Sequence, residues 1–457
     1  MGRDLRARWR LPAALVTLSL VLAACGADQT TSPAAPGTTP DPGGAATPAA
    51  TAGVDPGQVV MISSQLNPVE EAEKMRNEIL GGFAGEVEFI GAEPGPFNDQ
   101  IRAQEQAGSG QISLVGGLHG EFSAFAAEGL LMDLSDIVGE LGDVNADYLE
   151  LGRLGTDQHL YIPWMQATYI MAARQEAMEH LPDGADINAL TWEQITEWGA
   201  NIEAATGDRK LGFPAGEDGL WHRFFQGYSY PAFTGGVNTT FAGDGAIEMW
   251  NWLRDTWQYV NPQSTTYGFM QEPLQSGEVW VAWDHTARLI DALRNQPDDI
   301  VAFPAPAGPS GRAFMPVVAG LAVLNSAPNP DGAKELIRYL LQPETQATTL
   351  NQVSFFPVIA GELPMDLEPG TQAEQDAVEA MTNASDALPS LLPVGLGDQG
   401  GPYNQVFRDA FQLIVLENQD PATVLEARSA ELQAVFDASG AACWPPDPVE
   451  DGTCQVQ

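Results

Sequence analysis

Trp283, Asp284 and His285 close the stretch Gln275 to His285, Q-S-G-E-V-W-V-A-W-D-H, and set an indole, a carboxylate and an imidazole side by side. Ahead of them the residues alternate, Val279, Val281 and Trp283 on one face against Trp280 and Ala282 on the other, which is the period of a buried strand. A strand that leaves a core and ends in such groups edges a binding cleft, an apolar platform beside a few placed hydrogen-bonding groups. An indole matches the C–H face of a pyranose, while carboxylate and amide groups can satisfy its hydroxyls in a site that closes and dries. The chemistry implied is that of holding a sugar-like solute.

Other residues join this set by position. Gln58 to Ile62 and Ile112 to Val115 read as buried strands, and in alternating strand and helix patterns ligands collect beyond the carboxyl ends of strands. Ser64, Gln65 and His119 follow those ends, His119 being read equally well as a packing histidine. Trp164 follows Pro163 at the break of a later strand, and Trp221 and Tyr228 lie in a glycine-containing stretch. Phe355 sits in a second aromatic pair, and Gly320 in the strand Val317 to Leu324. Trp192, Trp198, Trp250, Trp252 and Trp257 fall on helical patterns and read as core.

Catalysis and metal chemistry find little support. Neither G-x-S-x-G nor H-E-x-x-H occurs, and the five histidines are scattered. Asp143-Val-Asn145-Ala-Asp147 is similar to the start of a calcium loop, but Tyr148 stands at its glycine position and Leu154 at its bidentate one. No catalytic residue, metal ligand or cofactor is assigned. With 61 acidic residues, carboxylate pairs arise by chance, so an exported glycoside hydrolase is a weak rival, as is a structural adhesion or signalling lipoprotein.

The elements that must carry these groups fill 457 residues, enough for two or three domains or one two-lobed body at roughly 150 residues per domain. Hydrophobic content of 44% and charged content of 18% are those of a globular chain. Net charge is -41, and since residues 1–24 carry +3, the remainder stands at -44. Such a field repels phosphates, which excludes nucleic acid as a partner, and it leaves a cationic solute such as a polyamine as an alternative.

Met1 to Arg10 is basic, Leu11 to Leu22 apolar, and Leu22-Ala23-Ala24-Cys25 follows, the pattern of a secretory signal. L-A-A-C resembles a bacterial lipobox, which implies cleavage after residue 24 and lipidation of Cys25 at the outer face of the cell membrane. Residues 25–57, rich in Ala, Thr, Pro and Gly, read as a flexible stalk. Cys443 and Cys454, eleven positions apart in an exported chain, are expected to form a disulfide closing a tail over 441–457, a ring worth roughly 3 kcal/mol.

From Gln58 to Phe436 the landmarks resemble, in order, the extracellular solute-binding proteins of ABC importers that include the maltose-binding type. They are L-Y-I-P at 160–163, L-T-W-E-Q-I at 190–195, Q-S-G-E-V-W-V at 275–281 and P-A-P-A-G-P-S-G at 304–311. N-P-D-G-A-K-E-L-I-R-Y-L-L-Q-P-E-T-Q at 329–346 and F-P-V at 356–358 complete the set. The resemblance implies an α/β fold of two lobes joined by three crossings, near Met165–Thr168, Trp283–Asp284 and Ala319–Leu321. It sets the lobes at 58–166 plus 284–320 and 167–283 plus 321–440. It also implies a monomer that delivers a small solute, a carbohydrate, to membrane permease subunits. Two departures stand out: Gly116-Gly117 where many relatives carry an acid after the third strand, and Ala172-Ala173 where many carry Tyr-Asn.

Overall fold

The computed structural model describes residues 57–457 except 109, 362, 365, 450 and 451. The signal segment 1–24, Cys25 and the stalk up to residue 56 lie outside the described residues.

Among the described residues, twelve strands build three sheets. β1 (Gln58–Ser63), β2 (Glu86–Gly91), β3 (Ile112–Leu118), β4 (Ile162–Ala167), β10 (Val317–Val323) and β11 (Phe356–Pro357) form the first, in the order β11-β4-β10-β3-β1-β2. β5 (Tyr169–Arg174), β6 (Leu211–Gly212), β7 (Val281–His285) and β8 (Ile300–Phe303) form the second, in the order β6-β7-β5-β8. β9 (Arg312–Phe314) and β12 (Ala387–Pro389) pair in parallel apart from both. Each large sheet carries its own helices, giving two lobes.

The local reasons are visible in the chain. β1 runs parallel to β2 and β3, and helices such as Pro94–Ala107 make the crossovers that parallel neighbours require. Thr191 Oγ1 accepts from the Gln194 amide while Gln194 reaches back to the Thr191 amide, so a capping box starts the helix Trp192–Thr206. Asp420 caps Pro421–Ser439 in the same way, through the Thr423 amide. The helix after β3 runs from His119 to Ala127, with Glu121 capping its first turn through the Leu118 amide.

The chain passes three times between lobes. The first passage is Thr168, the single residue between β4 and β5, within the expected span. The second is Met315-Pro316, between β9 and β10, a few residues before the expected Ala319–Leu321, which lies inside β10. The third follows Ile359, which bridges to Val144 of the first lobe, and precedes the helix Pro369–Thr382, which packs on β8.

Trp283–Asp284 is not a crossing. β7 pairs with β5 along its whole length, Tyr169 opposite His285, and β8 returns to the far side of β5. The helix Pro330–Leu340 packs on β1, β3, β4 and β10. Residues 284–314 therefore belong with the second sheet and 317–359 with the first, which corrects the expected lobe limits. The cause is pairing across the chain: β7 ends in a tight turn at Thr286–Arg288 that sends the chain back along its own sheet.

Candidate functional site

A cavity of about 320 Å³ opens between a wall from the first lobe and a wall from the second. Leu118, Gly120 and Glu121, at the carboxyl end of β3 and the first turn of the next helix, supply the first wall. Arg223, Leu392, Pro393 and Asn404 supply much of the second. The walls come close at Gly120, where an added Cβ would stand 2.2 Å from the Pro393 carbonyl oxygen.

Glu121 is tied down on its own side. Its Oε2 accepts from the Leu118 amide at 2.7 Å and from Ser64 Oγ at 2.6 Å, and Gln65 Nε2 donates to that same Ser64 hydroxyl at 3.2 Å. Gly117 makes the room, since a Cβ there would crowd the Glu121 carboxylate at 3.1 Å. Desolvation pushes the Glu121 carboxyl above its ordinary value, against the pull of Ser64, Leu118 and the charge of Arg223.

On the facing wall, Arg223 Nη1 donates to Gln226 Oε1 at 2.8 Å, and Gln226 Nε2 donates to Asn404 Oδ1 at 2.9 Å. Burial lowers the guanidinium's pKa, while Glu121 is one of the charges that holds it up. No ion pair joins these two described residues. Five donors in a fixed fork, one of them spent on Gln226, leave Arg223 ready to donate into the cavity.

Of the residues singled out in the sequence, Ser64 and Gln65 stand here, behind Glu121. His119 does not: it is buried, its Nδ1 lies 2.8 Å from Tyr161 Oη, and burial lowers its pKa to about 4, so it is a neutral packing imidazole. Gly320 lies against the same Tyr161, whose ring a Cβ would meet at 2.2 Å. Trp164 is 0% exposed inside the first lobe, where its carbonyl accepts from Gln346 Nε2.

Trp221, Tyr228 and Trp283 come together with Tyr169, but as core. Trp283 is 0% exposed and stacks on Tyr169 at 4.8 Å and 5°, with Tyr228 at 5.2 Å and Trp221 at 6.2 Å meeting it edge-on. Tyr228 Oη accepts from the Tyr169 amide and lies 3.0 Å from Thr168 Oγ1, which itself donates to the Met315 carbonyl, so the tyrosine fastens two crossings together. None of these rings lines the cavity; large flat side chains gain more by covering one another than by walling a wet space. Phe355 touches the lobe boundary from the first side, its ring 6.1 Å from that of His285.

Asp284 is fully buried, and its carboxylate accepts from the Met270 amide at 2.9 Å and the His285 amide at 2.7 Å. It shapes a turn and does not face the cavity. Desolvation outweighs Arg288 and these two amides and pushes its pKa up to about 7. A carboxyl whose folded pKa lies above its unfolded value of about 3.9 stabilises the fold fully below that value, and the gain is lost as pH rises through the folded one. The difference between the two states is of order 4 kcal/mol, lost between about pH 4 and 7. The Asp284→Asn variant should therefore show a flatter urea midpoint between about pH 4 and 7 than the wild type; parallel curves would refute the assignment.

Glu121, Arg223 and Asn404 were not singled out in the sequence. One signal was available: the acid missing at Gly116-Gly117 appears four residues later, on the helix.

A model of the bacterial extracellular solute-binding protein family matches residues 78–347. No curated protein matches the chain. Among solved structures, the maltose-bound MalE3 of T. maritima is 16% identical with a TM-score of 0.66, over 83% of this chain and 100% of that one. The GacH receptor of Streptomyces glaucescens, solved unliganded and with acarbose, is 15% identical with a TM-score of 0.65, over 84% and 99%. UgpB from Mycobacterium tuberculosis, in complex with glycerophosphocholine, is 18% identical with a TM-score of 0.65, over 84% and 99%. These likenesses share the two-lobed fold, and the family match covers more than half of the sequence: the chain belongs to the bacterial extracellular solute-binding proteins.

Proposed function

We propose that the chain captures a sugar or short oligosaccharide in the cavity between its lobes and delivers it to the permease of an ABC importer. The observation that carries this reading is the facing pair: an acceptor, Glu121, on one wall and a donor, Arg223, on the other. A hydroxyl both donates and accepts, so one polyol can bridge the two walls without bringing charge. Bridging is what closure requires, since a solute shifts the balance between open and closed forms only through its greater affinity for the closed one. The bound maltose and acarbose of two structural relatives support a saccharide. Arg223 in the same cavity weighs against a polyamine. Glu121, Arg223 and Asn404 supply polar groups of the proposed site, with Ser64 and Gln65 holding Glu121 from behind.

The same reading makes the chain a monomeric lipoprotein, cleaved after residue 24, anchored through Cys25 and stabilised by a disulfide at Cys443 and Cys454. In the structure those two sulfurs are bonded.

Titration of the chain from residue 58, followed by tryptophan fluorescence against mono- and oligosaccharides, polyamines and amino acids, tests the proposal. Saturable binding of a saccharide with little salt dependence is expected. Binding of polyamines alone, weakened by salt, would sink it. In cells, Cys25→Ser should release the protein from the membrane fraction, and retention would refute the anchor.

A further inference from the structure

The cavity's second wall, residues 391–404, is held from behind by the end of the chain. Trp444 is buried and packs edge-on against Tyr403 at 5.5 Å, on the helix Gly400–Phe411 whose first turns carry Gly400, Gly401 and Asn404 into the cavity. Pro445 offers its carbonyl to the Leu391 amide at 3.0 Å, next to Leu392 and Pro393 of the wall.

Asp447 locks this arrangement. Its buried carboxylate accepts from the amides of Val237, Asn238 and Thr239 at 2.8–3.1 Å, from Asn238 Nδ2 at 2.9 Å and from Thr239 Oγ1 at 2.6 Å. Asn238 in turn accepts from Tyr403 Oη at 2.9 Å. One carboxylate thus organises a loop and, through it, the helix that bears Asn404. Cys443 and Cys454 close the tail on itself, and the Cys454 amide is bound to the Ala441 carbonyl.

We infer that residues 441–457 set the shape of the solute cavity, with Trp444, Pro445 and Asp447 as positioning residues that never meet the solute. The inference rests on the cavity being the solute site. Five hydrogen bonds converge on Asp447 from a segment some 200 positions away, more than a chain end needs merely to be covered. The Pro445 bond to Leu391 and the Trp444 contact with Tyr403 each fall one residue from a cavity-lining one, Leu392 and Asn404.

Hydrogen exchange on the full chain without solute, comparing wild type with Asp447→Ala and with the Cys443→Ser/Cys454→Ser pair, tests it first. Amides of 391–404 should exchange at least tenfold faster in both variants, while those of β1 and β3 keep their wild-type rates. Ile195→Ala, in the core of the same lobe, supplies a variant of lowered stability in which 391–404 should remain protected. Titration with maltose and with glycerophosphocholine is the second arm: whichever probe the wild type binds should bind Asp447→Ala at least tenfold more weakly, and Asp447→Asn should recover part of the loss. Unchanged exchange at 391–404 while the tail itself exchanges faster would overturn the inference. A wild type that binds neither probe would count against the saccharide reading, and the exchange comparison would still decide the role of the tail.

Discussion

Glu121→Ala should lower affinity for the bound saccharide about 100-fold, and Arg223→Ala should do the same from the opposite wall. Each truncation removes a charged partner from a dry cavity and leaves a solute hydroxyl unsatisfied, an effect of about 3 kcal/mol at the upper end for hydrogen bonds to charged groups, and about 1.4 kcal/mol corresponds to tenfold. Because one polyol bridges both side chains, the two losses are not independent. Once either wall has let go, the closed form has lost its advantage, so the double variant should bind little worse than either single one. Glu121→Gln retains an oxygen for the Leu118 amide and should lose only about tenfold, since a neutral acceptor is the weaker partner. Glu121→Ala should also lower the melting temperature modestly, because the buried Ser64 hydroxyl and the Leu118 amide lose their acceptor, a cap loss of about 1 kcal/mol. Calorimetric titration of the four variants decides the matter, and a single alanine variant within threefold of wild type would remove that residue from the site.

Much of the architecture was legible because it is written in local chemistry. Thr191 with Gln194 and Asp420 before Pro421 each satisfy backbone donors at an identifiable place, Pro330 leaves no donor to satisfy at a first helical turn, and the structure starts a helix at each. The alternation around Val281 gave a strand, although β7 lies between β5 and β6 with all five of its residues buried. What could not be read is the partner of a strand. Whether the residues after His285 rejoin the first sheet or turn back beside β5 depends on pairing with residues more than a hundred positions away. The expected lobe limits failed at that point.

The tryptophans show the same limit. Trp164, Trp221 and Trp283 could each serve as a sugar platform, but an indole serves equally well as core: contacts from Tyr169, Phe224 and Tyr228 decided for core at Trp221 and Trp283, and complete burial in the first lobe did so at Trp164. Glu121 was hidden for the opposite reason. Among so many acids it carries no local mark, and only the helix start at His119 turns it toward Ser64 and the cavity. Residues 391–404, rich in Gly, Leu and Pro, carry no local mark of a site, and their place in the wall follows from helices and a tail that pack behind them.

Gly120→Ala should separate affinity from stability. On the first-lobe helix His119–Ala127, alanine in place of glycine favours the helix by up to about 1 kcal/mol, so thermal stability should hold or rise slightly. Across the gap, however, the new methyl group would stand 2.2 Å from the Pro393 carbonyl oxygen, closer than any real contact. That oxygen belongs to the backbone of the facing wall, so no side-chain rotation can relieve the clash, and either the wall or the lobe must withdraw. An insertion of this kind costs roughly 1–3 kcal/mol in a packed site, charged here to the closed form alone, and apparent affinity falls with the fraction of molecules able to close. The expectation is a loss of about tenfold to 100-fold in saccharide affinity beside an unchanged or higher melting temperature. X-ray scattering at saturating solute should then give a radius of gyration larger than that of the solute-bound wild type. Unaltered affinity would mean that the walls need not meet at Gly120 to hold the solute, and the cavity would have to close elsewhere.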